Sequence, residues 1–80
     1  MKTEYVIADN TITILNARNP LEERYLYSTT GWVKGLEKAQ KFDGSQAAID
    51  IARKLNEELP VKVLMLQTQG NRIGVGEIKF

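Results

Sequence analysis

Alternation and helical spacing of apolar residues divide this chain into short strands and one helix. Residues 3–8 alternate, with Tyr5 and Ile7 on one face and Val6 and Ala8 on the other, in β-branched and aromatic types suited to a strand. Asp9-Asn10 supplies turn chemistry, since both residue types tolerate the left-handed backbone of tight turns. Residues 12–15 then read as a returning strand, Ile12 and Ile14 inward, which completes an N-terminal hairpin. Pro20 forces Asn19 toward an extended backbone, and with Asn16, Glu22 and Glu23 it marks residues 16–23 as a loop.

Residues 24–30 predict a third strand, Tyr25 and Tyr27 on one face and Leu26 on the other, ended by Gly31. In residues 32–42 the helical spacing of Val33, Leu36 and Ala39 suggests one or two short turns, weakened by Gly35 and anchored to the core by Phe42. The clearest periodicity spans residues 44–59, where Ala48, Ile51, Ala52, Leu55 and Leu59 form one apolar stripe. Asp43 with Gln46 predicts a capping box, Asp50 and Lys54 stand in the favourable i,i+4 order, and Pro60 stops the helix.

Beyond the proline, residues 61–67 carry the run Val63-Leu64-Met65-Leu66, apolar on both faces, which predicts a central strand. Gln69 to Arg72 is turn-like. Residues 73–80 could form a last strand, which Gly74 and Gly76 weaken, so an edge strand or a bulge is expected. The order β-β-β, short turn, α, β, β predicts an α+β domain over residues 1–80, one main helix packed on a mostly antiparallel sheet of four to five strands.

Composition narrows the chemistry. Eighty residues suit one domain, and 42% hydrophobic with 26% charged residues is the balance of a folded globule. The formal charge of +1 gives no overall electrostatic reason for a nucleic-acid or membrane partner. There is no Cys and no His, which removes disulfides, thiolate nucleophiles, His-based triads and the commonest transition-metal ligands. Carboxylates do not pair suggestively: Glu22-Glu23 and Glu57-Glu58 are adjacent and diverge, and nothing in the spacing of Asp9, Asp43 and Glu77 brings them together. Ser28 and Ser45 lack any nucleophile context. No enzyme, cofactor or metal site is expected. With no secretory signal and no long apolar run, the expected location is the cytoplasm.

Three features invite a functional reading. Gly74-Val75-Gly76 suggests a phosphate loop, but Lys79 occupies the third glycine position of the dinucleotide fingerprint and no helix follows, so a glycine-kinked strand is the plainer meaning. Lys34, Lys38 and Lys41 gather beside Trp32 and Phe42, the mixture of cations and aromatics that holds single-stranded nucleic acid; Glu37 and Asp43 interrupt it, and a solvated charged turn is the alternative. Tyr25 and Tyr27 share a strand face and are either core or an interface, and an exposed Trp32 would anchor a partner. The candidate interaction surface is therefore Tyr25, Tyr27, Trp32, Lys34 and Lys38. Its expected partner is another protein, or a second copy through residues 73–79; weak nucleic-acid binding is the alternative.

Lys38-Ala39-Gln40-Lys41-Phe42-Asp43, followed by Ala47 and Ala48 at a helix start, resembles small uncharacterised proteins of Gram-positive bacteria and their phages and prophages. The resemblance spans roughly residues 3–60. It implies an N-terminal hairpin, an Ala-x-x-Phe-Asp/Asn segment and an alanine-led helix, and it carries over no catalytic or binding residue; the expected function is a protein-interaction module or small inhibitor, of phage origin if the resemblance holds.

Overall fold

A computed structural model of the chain describes residues 1–10 and 25–80, and these form one antiparallel sheet with one helix. The strands are β1 (Lys2–Asp9), β2 (Leu26–Ser28), β3 (Gly31–Val33), β4 (Val61–Gln69) and β5 (Arg72–Ile78), and the helix α1 is Ser45–Leu55. Across the sheet they run β3-β2-β1-β4-β5, so the first and fourth strands in sequence are hydrogen-bonded neighbours. The α+β class stands. The expected strand at residues 12–15 and the loop at 16–23 lie outside the described residues.

β1 and β4 form the centre, paired continuously from Lys2–Thr68 to Asp9–Val61. Both strands are buried on both faces, which explains the unbroken apolar run in β4. On one face Ile7, Val61 and Val63 meet Phe42, Ala48 and Ala52, with Ile51, Leu55 and Leu59 packed around them. The stripe read from helical spacing is thus the stripe that docks. Its two alanines are fully buried and let the helix axis approach the sheet closely. On the other face Val6, Ala8, Leu26, Leu64 and Leu66 cluster with Ala39, Val33 and Leu36.

Four local expectations need correction. The described part of the strand expected over residues 24–30 is not one strand ended by Gly31: β2 is three residues long, and Gly31 opens β3. The chain reverses through Thr29-Thr30, and Gly31 takes φ +128°, which L side chains rarely adopt. The short turns expected over residues 32–42 start later than expected: Trp32 and Val33 are in β3, turns follow, and Phe42, buried in the core as expected, bridges to Tyr5. Helix α1 ends at Leu55, four residues short of the expected end; turns continue through Leu59, where the Asn56 side chain accepts the Val61 N–H at 3.2 Å. Finally, Asp43 does not cap. The N-cap is Gly44, with no side-chain hydrogen bond, and Gln46 donates to Asp50 at 2.8 Å instead. Asp43 sits one residue before the position from which a side chain reaches the second or third helical N–H.

The stretch after β3 is held at two points between strands. Gln40 donates its N–H to the Tyr27 carbonyl, while Phe42 and Tyr5 bond each other reciprocally, all at 2.9 Å. β1 and β2 are in register only at Ala8–Leu26. Beyond that pair, residues 40–42 supply the backbone partners that each strand would otherwise lack. Among the described residues, no helix is long and apolar enough to cross a membrane.

Candidate functional site

The hairpin β2–β3 sets four of the five predicted surface residues in one row. Its tip is fixed by Ser28, whose buried hydroxyl donates to the Gly31 carbonyl at 2.6 Å and accepts the Thr30 N–H at 3.3 Å. That local network satisfies the hydroxyl and holds the strands in the register Leu26–Val33, Tyr27–Trp32. Alternation then places Tyr27 and Trp32 on the helix-side face, with Tyr25 and Lys34 next along the same face.

Ring geometry follows from that register. Tyr27 and Trp32 meet edge to face, centroids 6.1 Å apart and planes at 76°. Both are half-buried against the cluster around Ile7 and Phe42. Trp32 is therefore a cross-strand core partner and not a free anchor. Tyr25 is 40% exposed, and the Lys34 ammonium lies 5.5 Å from its ring centroid, a cation–π pair. Lys38 is exposed in the following turn, and Lys41 donates to the Ala39 carbonyl at 3.5 Å. The row thus unites Tyr25, Tyr27, Trp32 and Lys34, and leaves Lys38 and Lys41 outside it.

The second surface lies at the far end of the sheet. Among the described residues β5 is an edge strand, paired with β4 from Val63–Ile78 to Gln69–Arg72 without a break, so the glycines mark an edge and not a bulge. The turn is two residues, Gly70-Asn71, with φ +60° at Gly70 and a negative φ at Asn71, the signature of a type II′ hairpin. Gly74 and Gly76 leave the helix-side face of β5 bare, and the Met65 methyl lies 3.6 Å from where a Gly76 side chain would begin. On the opposite face Ile73 is 46% and Val75 36% exposed, neighbours two residues apart on one strand. Glu77 follows on that face, 3.9 Å from the Lys62 ammonium.

Carboxylates do not gather. Asp9 ends β1, Asp43 precedes the helix and Glu77 is on β5, and among the described residues no three Asp or Glu side chains stand close enough to share a metal ion. Comparison with protein-family models, with curated proteins and with solved structures finds no match to this chain.

Proposed function

We propose that this chain is a non-enzymatic protein-interaction module that binds by adding a strand to the outer edge of β5. One observation carries the reading: β5, seven residues long and regularly paired on its inner side, is an edge of the sheet among the described residues and presents Ile73 and Val75 to solvent. Strand addition takes affinity from main-chain hydrogen bonds and specificity from alternate side chains, and β5 offers both. The other edge, β3, is three residues long, and its Trp32 side chain packs against the core. Tyr25 and Lys34 are exposed but already paired with each other, so they support the reading less.

The test is capture from a lysate of the native cell by the immobilised chain, with nuclease treatment, against a variant carrying Ile73→Lys and Val75→Lys. Nuclease-resistant capture that the double variant loses, and that Tyr25→Ala keeps, supports the reading. Capture unchanged in the double variant overturns it, and so does capture that nuclease abolishes.

A further inference from the structure

The hairpin fixes which backbone groups of β5 face outward. In a two-residue turn the closing pair, here Gln69–Arg72, exchanges both hydrogen bonds, and alternation from that pair directs the backbone of Gly74, Gly76 and Ile78 toward β4. Ile73, Val75 and Glu77 therefore turn their N–H and C=O groups away from the sheet. Natural edge strands are blunted by charge, proline or a bulge. Between Arg72 and Glu77 the segment Ile73-Gly74-Val75-Gly76 carries none of these.

We propose that the occupant of this edge is a second copy of the chain, its β5 antiparallel to the first about a two-fold axis at Gly74, so that two sheets become one. This inference rests on the strand-addition reading above. Outward-facing residues must pair with outward-facing residues, so the axis falls on a residue, and only an axis at Gly74, Val75 or Gly76 pairs five or more residues of β5 in each copy.

Side-chain complementarity separates the three. With the axis at Gly74, Ile73 of each copy faces Val75 of the other, two β-branched cross-strand pairs of the kind that stabilise sheets. Arg72 then faces Gly76, Glu77 falls beside the Asn71 amide, and no like charges meet. With the axis at Val75, Ile73 faces Glu77 in both halves. With the axis at Gly76, Glu77 faces Val75 and Lys79 faces Ile73. Of the three, only the first register sets apolar side chains against each other and leaves no charged side chain facing an apolar one. A formal charge of +1 on each copy adds little repulsion.

Sedimentation of the full chain over a concentration series tests the proposal. The expected result is a dimer that Ile73→Lys with Val75→Lys converts to monomer, with the circular dichroism of the fold retained. The register is read by cross-linking, because the native chain has no Cys. A Gly74→Cys chain has room at that site, its nearest neighbour being the Gln67 carbonyl oxygen 3.9 Å from the added carbon. Across the axis the two positions form a non-hydrogen-bonded pair about 4.5 Å apart, within disulfide reach.

Gly74→Cys should therefore give a disulfide-linked dimer on mild oxidation, and Gly76→Cys should not. A wild-type chain that stays monomeric throughout the series overturns the proposal. A dimer kept by the lysine variant, or one that links through Gly76→Cys in preference to Gly74→Cys, overturns it as well. If the chain is monomeric while the lysine variant still loses lysate capture, only the second-copy inference falls. If capture is unchanged, the strand-addition reading falls with it.

Discussion

Tyr5 and Phe42 exchange both of their backbone hydrogen bonds, at 2.9 Å each way, although 37 positions separate them in sequence (42 − 5). The bridge fixes the chain after β3 to the central strand and delivers it to the start of the helix. The Phe42 ring is buried among Ile7, Ala48, Ala52 and Val63, so one residue closes the ladder and fills the helix–sheet interface. Phe42→Ala should cost about 3–5 kcal/mol, the range for a buried aromatic truncated to alanine. A domain of this size has a total stability on the order of 0.1 kcal/mol per residue, so the variant should lose roughly half of it and unfold at a much lower urea concentration. Urea denaturation followed by Trp32 fluorescence checks this, and a loss under about 1 kcal/mol would place the ring outside the core.

The Tyr27–Trp32 contact predicts an intermediate emission. Trp32 is half-buried and edge-on to Tyr27, so its spectrum should lie between those of solvated and fully buried indole, with partial access to acrylamide. Tyr27→Leu keeps an apolar side chain and removes the ring pair, which is worth about 0.5–1.5 kcal/mol beyond area. Its expected signature is a red shift with a stability loss in that range. An unchanged spectrum would mean that the two rings do not meet in solution.

Much of this arrangement is legible in the sequence where a period extends over enough residues. The stripe Ala48, Ile51, Ala52 and Leu55 repeats at helical spacing, and it is the face that packs on Ile7 and Val63. The run Val63 to Leu66 announces a strand buried on both faces, and β4 is one. Gly74 and Gly76 mark an edge strand, and β5 stands at the end of the sheet order. What escapes is set by single residues or by distant partners. A one-residue bridge such as Phe42–Tyr5 has no period, and Val33, Leu36 and Ala39 imitate helical spacing while packing together beneath the opposite face. β3 is too short to alternate, and it exists because Gly31 can adopt φ +128° and Tyr27 offers a partner. Of the candidate surface, the burial of Trp32 escapes the sequence because its cross-strand neighbour cannot be seen before the hairpin register is known.

The uncapped helix start makes an asymmetric prediction for two neighbouring positions. Asp43 makes no cap hydrogen bond, so Asp43→Ala should change stability by less than about 0.5 kcal/mol, below the loss of about 1 kcal/mol that removing a working cap causes. Gly44 occupies the N-cap at φ −124° and ψ 147°, a conformation any residue can adopt, with open space where a side chain would begin. Gly44→Ser should therefore stabilise by a few tenths to about 1 kcal/mol, through a new cap bond and a less flexible unfolded chain. Thermal unfolding of the two variants decides the matter. A large loss in Asp43→Ala would show that its carboxylate caps the helix in solution.

Lys62 stands on β4 among the apolar residues of the face opposite the helix, its side chain only 15% exposed. Its partner Glu77 lies on the edge strand, 56% exposed at 3.9 Å, which is the outer limit of an ion pair. A contact at that distance and exposure offsets little of what desolvating the ammonium costs. Glu77→Gln should therefore leave stability within about 0.5 kcal/mol of wild type. Lys62→Met keeps the length and apolar stem of the side chain and removes the charge, so it should be neutral or stabilising. Chemical denaturation at low and high salt separates the alternatives: a Lys62→Met chain that loses more than about 1 kcal/mol at low salt and recovers at high salt would reveal an ion pair stronger than its geometry implies.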